Sequence, residues 1–412
     1  MNNQRSSEPG IQHPLPWFQN KILWLCGIYA LIVATIILRV NVESTQYITP
    51  DSEYYLRVAD NLLAGRGFVM PYMTYPFDEN TPQKELIIWP IGYPALISLL
   101  SFCTGLDTLW ASKAINLLAL AGIFWLLAMM FKTNAWFVSL IFLSYGKMEV
   151  FSYTWSEGSF LMLELLLCLI VIKSLSSEKV KLLWLQITLV LTGLFLLRYA
   201  GLIFFFFSAF VMIYLHQRNK KGHSIHYFIA LLLSSVFVLA YFYRNYTISG
   251  FYTGGDRVYP YIESIGYFFW LFLRGLFNEL MLARNYFFKG NFDPLFVGLL
   301  LIQLLVVFQL FRHRHLIKDG VKQHTNLMVL AVCGLTYLVG IIIIRKIQPF
   351  DPFDFRILAP YSMPLFIPFF AVLTLPKNGA FYRKTSPWII GFMAICWMMN
   401  LPKQFLVDLI VK

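Results

Sequence analysis

Residues 21–55 read KILWLCGIYALIVATIILRVNVESTQYITPDSEYY, a long apolar run followed by a short acidic segment. The apolar run suits one helix crossing the hydrocarbon core of a bilayer, which takes about 20 residues. Similar runs recur along the 412 residues, which are 58% hydrophobic and 13% charged, with a mean hydropathy of +0.64. A water-exposed surface needs more charge than this, and a membrane barrel would show alternating polarity. The sequence therefore predicts an all-α polytopic membrane protein.

We expect about eleven transmembrane helices, each centred on one of the apolar runs. The predicted spans cover residues 21–40, 108–131, 134–149, 155–173, 181–197, 199–216, 226–247, 293–311, 326–345, 357–375 and 387–401. They divide the chain into a tail at 1–20, a transmembrane module at 21–375, and a last span with a short tail at 376–412.

Basic residues predict the orientation of these spans. With the N-terminal tail in the cytoplasm, every inner connection is short and basic, as the positive-inside rule requires in a plasma or bacterial inner membrane. The net charge of +12 is divided among these short clusters, a pattern that does not favour nucleic-acid binding. Two connections on the outer face are long, about 41–107 and 248–292, and most acidic residues lie on that face. Long loops in compact proteins are usually functional.

The first outer loop is predicted to hold two juxtamembrane helices. Thr49 is a suitable N-cap and Pro50 a suitable first residue for a helix over 50–65, which is amphipathic and should lie on the membrane, with Asn61 on its polar face. The segment 89–102 is apolar but too short to span comfortably, so we interpret it as a second juxtamembrane or re-entrant helix.

Carboxylates provide the first candidate site residues. Asp51 and Glu53 lie at the start of the 50–65 helix, where exposed amide groups favour ionised carboxylates that can act as a base or a ligand. A helix-capping role for Asp51 and a solvated Glu53 fit the same spacing. Glu157 opens an apolar span and faces either a cavity or an arginine that fixes packing, whereas Glu164, two turns deeper, is expected to be structural.

Cations at the outer ends of spans provide the second set of candidates. They are Arg198, Arg244, Arg345, Lys346 and Arg356. Snorkelling of single side chains explains any one of them, and Arg356 could instead form a closed network with Asp351 and Asp354. As a group, however, they suit a lipid-borne phosphate, because arginine binds phosphate oxygens through two parallel hydrogen bonds.

Several short motifs occur in a particular order along the chain. They are Asp51-Ser52-Glu53, Gly65-Arg66-Gly67-Phe68, Pro90-Ile91-Gly92-Tyr93-Pro94, Ser156-Glu157, Arg198-Tyr199, Arg244-Asn245 and Asp354-Phe355-Arg356. In this order and topology they resemble the GT-C superfamily of integral-membrane glycosyltransferases, within it the protein mannosyltransferase-like and aminoarabinose transferase-like bacterial group. The resemblance covers about residues 50–360, and the soluble C-terminal domain of many relatives has no counterpart here.

The resemblance implies inverting transfer of a sugar from a polyprenyl-phosphate donor to a glycan, lipid or protein acceptor of the cell envelope, on the outer face. It makes Asp51 the general base and Glu53 the second acidic residue. In members that use a divalent metal such as Mg²⁺ or Mn²⁺, the same two carboxylates are the candidate ligands. The expected substrate-binding residues are Tyr54, Tyr55, Glu157, Arg198, Tyr199, Arg244, Arg345, Lys346, Asp354 and Arg356.

Two other functions fit parts of the sequence. An O-antigen ligase or polymerase would also use outer loops and cations, but its catalytic loop is expected late in the chain. A secondary transporter or flippase would use Glu157 and Glu164 as coupling groups near the midplane, but transporters often show repeated halves, and the polar residues here lie at the outer boundary instead.

Overall fold

Apolar helices form nearly all of the regular structure in this protein. The computed structural model describes residues 21–72, 82–176, 181–254, 263–286, 293–312, 314–347 and 350–402. The predicted tails at 1–20 and 403–412, and parts of the two predicted outer loops, lie outside the described residues.

Most of the described helices coincide with predicted apolar runs, whereas the two short strands and the helix Arg314–Gln323 were not predicted. In chain order the helices and strands are α1 Lys21–Val42, α2 Pro50–Leu63, β1 Val69–Pro71, β2 Gln83–Glu85, α3 Gly92–Thr104, α4 Thr108–Phe131, α5 Ala135–Ser139, α6 Tyr145–Ser152, α7 Glu157–Leu175, α8 Leu183–Leu197, α9 Ile203–Gln217, α10 Lys221–Ser249, α11 Ile265–Leu280, α12 Pro294–Phe311, α13 Arg314–Gln323, α14 Thr325–Ile347, α15 Phe355–Leu373 and α16 Gly379–Met399. Short 3₁₀ turns cover Lys132–Asn134, Leu140–Leu143, Tyr199–Leu202 and Pro376–Asn378.

Eight helical segments in the described part of the chain are long and apolar enough to cross a membrane. They are Lys21–Val42, Thr108–Leu143, Glu157–Leu175, Tyr199–Gln217, Lys221–Ser249, Pro294–Phe311, Thr325–Ile347 and Phe355–Leu373. A multi-pass membrane protein is therefore confirmed in outline, whereas eleven separate spans are not. The predicted span at 181–197 is a helix of only 15 residues, α8, and the span at 387–401 falls within α16, which contains Pro387.

The predicted span at 134–149 is broken into short pieces. Lys132–Asn134, α5, Leu140–Leu143 and α6 follow one another, and Ser144 between the last two has extended backbone. Lys113, near the start of α4, donates from Nζ to the carbonyl oxygen of Ser152, at the end of α6, over 2.8 Å. After α4 the chain therefore runs back along this helix as a series of short helical pieces. Lys113 is buried and pairs with the end of the last piece.

The first outer loop folds onto one end of the helix bundle. α2 packs against α3 and β1, and α3 packs in turn against α4 and α8. Thr49 caps α2 as predicted, since its Oγ1 accepts from the Ser52 amide over 3.3 Å. Two features differ from the prediction. The loop contains a two-stranded antiparallel hairpin, β1–β2, and Asn61 is buried because its Nδ2 donates to the Val69 carbonyl oxygen over 2.8 Å.

The contact between α11 and the segment leading into α15 depends on a glycine. A Cβ added to Gly275 would lie 2.3 Å from the Phe353 carbonyl oxygen, whereas a Cβ on Gly266, in the same helix, would meet nothing within 4 Å. We expect Gly275→Ala to destabilise the protein by about 1–3 kcal/mol through overpacking. Thermal unfolding in detergent would measure this, with Gly266→Ala as the matched control. Equal melting temperatures for the two variants would contradict the expected close packing.

Candidate functional site

Four element boundaries meet at the end of the bundle that α2 covers. α2 begins at Pro50, α7 begins at Glu157, α15 begins directly after Asp354, and α8 ends directly before Arg198. Helix ends leave backbone groups without intrahelical partners, so polar side chains collect there at little cost. The result is a cluster of charged side chains inside a largely apolar protein.

Arg356 joins the first outer loop to the bundle. Its Nη1 donates to Asp51 Oδ2 over 2.6 Å, although the two residues are 305 positions apart in the sequence. Its Nε donates to Glu157 Oε1, so one guanidinium bridges two carboxylates. The side chains of Asp51 and Arg356 are only 11% and 14% exposed. Charge-assisted hydrogen bonds of this kind are strong where water is largely excluded.

Arg198 is the second cation of the cluster. Its Nη1 also donates to Glu157 Oε1, and the Glu157 side chain is fully buried between the two arginines. The Ser156 hydroxyl donates to Glu157 Oε2 over 3.4 Å. The cluster thus balances two carboxylates, Asp51 and Glu157, against two guanidinium groups, Arg198 and Arg356. This pairing offsets the large free-energy cost of burying each ion alone.

Aromatic side chains enclose this charge cluster. The Trp155 ring covers the Arg356 guanidinium at 4.9 Å, and the Trp155 Nε1 donates to Thr49 Oγ1 over 3.0 Å. Tyr55 is buried, and its ring packs against Trp89 and Tyr93 at 5.4 and 5.2 Å. Burial raises the pKa of Tyr55, so its hydroxyl stays protonated and can donate a hydrogen bond but cannot act as a base.

Asp354 lies beside the cluster and caps the helix α15. Its Oδ1 accepts from the Ile357 amide over 3.0 Å and so caps α15. Burial raises its pKa, and the nearby Arg356 opposes that rise. The closed network considered for Asp351, Asp354 and Arg356 is not what forms, because the hydrogen bonds of Arg356 go to Asp51 and Glu157.

Glu53 does not join the cluster. Asp51 is buried, whereas Glu53 is only partly buried, and its carboxylate makes no hydrogen bond or ion pair with any described residue. Residues two apart in a helix differ in direction by about 200°, so the two carboxylates point to nearly opposite sides of α2. They do not converge on one ion, and no group of three or more His, Cys, Asp or Glu side chains among the described residues could hold a metal.

Tyr199 and Arg244 lie together in a separate polar group. The Tyr199 hydroxyl donates to the Ile87 carbonyl oxygen over 2.9 Å and accepts from Asn245 Nδ2 over 3.2 Å. Arg244 forms a half-exposed ion pair with Glu85 at 3.0 Å. These contacts attach the strand β2 and the residues after it to α10. Tyr54 packs against Trp89, with ring centroids 5.3 Å apart.

Arg345 and Lys346 are also outside the cluster. Arg345 is 1% exposed and donates from both terminal nitrogens to Glu263, over 2.8 and 2.6 Å, and from Nε to the Asp351 carbonyl oxygen over 3.2 Å. Lys346 donates to the Glu263 carbonyl oxygen over 3.4 Å. Because its donors are occupied in this way, Arg345 links α14 to the segments that contain Glu263 and Asp351. Glu164 lies deeper on α7, buried beside Cys333.

Two further buried networks were not anticipated from the sequence. Arg39 pairs with Glu149 and donates to the Tyr47 hydroxyl over 2.7 Å. Lys147 donates to Glu279 Oε1 over 2.7 Å and to Ser362. The available signal was that each of these charges lies within or at the end of an apolar run, where charged residues usually pair.

Comparison with known proteins adds no assignment to this geometry. No protein-family model matches the sequence, and no curated protein is significantly similar to it. The chemistry of the charge cluster combines a buried carboxylate, a bridging guanidinium and a second guanidinium at the end of the bundle covered by a loop.

Proposed function

We propose that this protein is an inverting glycosyltransferase that moves a sugar from a polyprenyl-phosphate donor to an envelope glycan, lipid or protein acceptor on the outer face of the membrane. The observation that supports it best is the contact between Asp51 and Arg356, which places a potential base beside a potential phosphate ligand. The membrane-embedded helices around this contact suit a donor whose lipid chain stays in the bilayer.

The two arginines keep hydrogen-bonding capacity for a phosphate. In the described part of the chain, Arg356 uses Nε and Nη1, and Arg198 uses Nη1, so Nη2 of each makes no hydrogen bond. A guanidinium has five N–H donors in a fixed planar arrangement that matches phosphate oxygens. In the proposed complex, these remaining donors bind the phosphate of the lipid carrier.

Asp51 acts as the general base in the proposed reaction. The acceptor hydroxyl attacks the anomeric carbon of the sugar and gives its proton to Asp51, while the bond between that carbon and the phosphate oxygen breaks. The electron pair of the broken bond stays on the lipid phosphate. A single displacement needs no carboxylate nucleophile on the opposite face of the sugar, so the configuration inverts.

Arg356 balances the charges during this step. Asp51 loses its negative charge when it takes the proton, at the moment when negative charge develops on the leaving phosphate. A guanidinium placed between the two groups has an anionic partner before and after the reaction, which lowers the cost of charge separation in a dry site. Glu157 would hold Arg356 in place through Nε during the exchange.

The experiment that tests this function compares envelope glycans of the source organism with and without the gene, by mass spectrometry. We expect one sugar to be lost from a defined glycan, lipid or protein. The purified protein in lipid nanodiscs should then transfer that sugar from a radiolabelled polyprenyl-phosphate donor to the under-glycosylated acceptor. Unchanged glycans, together with substrate-dependent flux into proteoliposomes, would instead support the transporter alternative.

A further inference from the structure

A polar cavity lies near the charge cluster and is lined by residues outside that cluster. Its volume is about 310 Å³, at the lower end of the range for small-molecule sites. It lies among the end of α1, α6, the segment after α11 and the end of α16. The lining includes Arg39, Glu43, Tyr145, Tyr153, Arg284 and Asn400.

The charges around this cavity do not suit a phosphate. Arg39 is paired with Glu149, and Arg284 is paired with Asp293 at 2.8 Å. The Glu43 carboxylate makes no ion pair with a described residue, so the lining offers no surplus cation. An anionic ligand would therefore meet an uncompensated carboxylate, whereas an uncharged ligand with hydroxyl groups would not.

Residues that line the same cavity carry unpartnered polar atoms and aromatic rings. Asn400 is 4% exposed and its Nδ2 is bonded to backbone, but its Oδ1 is buried without a partner among the described residues. The Nε of Arg284 is buried and unpartnered in the same way. Both atoms are enclosed by the side chains around them and do not face the open cavity, and leaving such atoms unpartnered costs free energy. The cavity is also lined by Tyr47, Tyr145 and Tyr153, side chains that combine an apolar ring with a hydroxyl group.

The stacked rings of Tyr153 and Trp155 lie between the cavity and the charge cluster. Tyr153 lines the cavity, and its ring stacks on the Trp155 ring with centroids 4.2 Å apart. The Arg356 guanidinium lies 4.9 Å from the centroid of the same Trp155 ring. Arg356 thus lies no farther from the Tyr153 ring than these two distances together. A ligand in the cavity is therefore close to the reacting groups but does not touch Asp51 itself.

We propose that this cavity binds an uncharged sugar unit of the acceptor, next to the unit that carries the attacking hydroxyl. This role as an acceptor subsite rests on the proposed function, whereas the binding of an uncharged sugar is a property of the cavity alone. Aromatic faces stack on the apolar face of a sugar ring, and Glu43 and Arg284 supply acceptors and donors for its hydroxyl groups.

Saturation-transfer NMR with the full-length protein in nanodiscs tests the proposal. The probes are neutral trisaccharides of glucose, galactose, mannose and rhamnose, each added singly. We expect at least one of them to bind, and Glu43→Ala to weaken it about fivefold to tenfold through loss of a hydrogen bond. Tyr145→Ala, which removes a ring from the lining, should weaken it at least as much. Ser44→Ala changes an exposed neighbour that does not line the cavity and should leave binding unchanged.

Two results would overturn the proposal. One is the absence of binding by every neutral trisaccharide, and the other is binding that neither Glu43→Ala nor Tyr145→Ala weakens although both variants are folded. If the protein binds a saccharide but transfers no sugar, the cavity is a saccharide site and the proposed transferase function is wrong. If it transfers sugar but binds no saccharide, the transferase function stands and the cavity assignment is wrong.

Discussion

Asp51→Asn is expected to reduce the rate of sugar transfer by about 10²–10⁴-fold, the usual contribution of a general base. Asparagine keeps the size of the side chain and can still accept a hydrogen bond from Arg356, but its amide cannot take a proton from the acceptor. Because Arg356 also remains paired with Glu157, we expect the variant to fold. Transfer from a radiolabelled polyprenyl-phosphate donor, with protein amount and melting temperature measured in parallel, would give the rate.

Asp60→Asn is the matched control for this prediction. Asp60 lies on the same helix, outside the cluster, and its Oδ1 accepts from the Thr108 hydroxyl over 3.0 Å, which an asparagine oxygen can also do. Burial raises the pKa of Asp60, so loss of its charge should be tolerated well. Full transfer activity in folded Asp51→Asn protein would mean that Asp51 is a helix-terminal ion-pair partner and that another group is the base.

Arg356→Lys is expected to raise the KM for the lipid donor about tenfold to a hundredfold. Lysine keeps the positive charge but lacks the planar fork, so it cannot hold Asp51, Glu157 and a phosphate in the same way. Alanine is the poorer test at this position, since it would leave two buried carboxylates short of a partner and cost about 3–5 kcal/mol of stability. Steady-state kinetics with varied donor concentration would measure the effect.

Arg345→Lys separates recognition of the donor from general stability. Arg345 is more deeply buried than Arg356 and is paired with Glu263, yet it lies outside the cluster. We expect this variant to melt at a lower temperature with the KM for the donor unchanged. If Arg356→Lys behaves in the same way, with a lower melting temperature and an unaltered KM, then Arg356 has only a structural role.

Local sequence signals were sufficient to predict the helices that carry the site. Thr49 and Pro50 predicted the start of α2, because a capping hydroxyl followed by proline satisfies the free amide groups of a helix end within a few residues. The apolar runs predicted most helices for a similar reason, since helix hydrogen bonds are local and lipid requires every backbone group to be paired. The break at 134–149 was missed because apolar content alone does not distinguish a continuous helix from short turns.

Which charges meet could not be read from spacing. Arg345 and Arg356 were equivalent candidates in the sequence, yet one is paired with Glu263 and the other bridges Asp51 and Glu157. Asp51 and Glu53 were also predicted together, and the direction of their side chains around α2 separates them. These distinctions depend on long-range packing of helices, which sequence periodicity does not specify.

The sequence by itself determined that the chain is a helical multi-pass membrane protein with a capped helix after its first span, because hydrophobicity and capping act over neighbouring residues. Only the tertiary structure decided that Asp51, Glu157, Arg198 and Arg356 share one buried cluster, and that Tyr199, Arg244, Arg345 and Lys346 do not. The reason is that an ion pair in a dry interior must be completed by whichever partner the fold brings within hydrogen-bonding distance, however far away it lies in the chain.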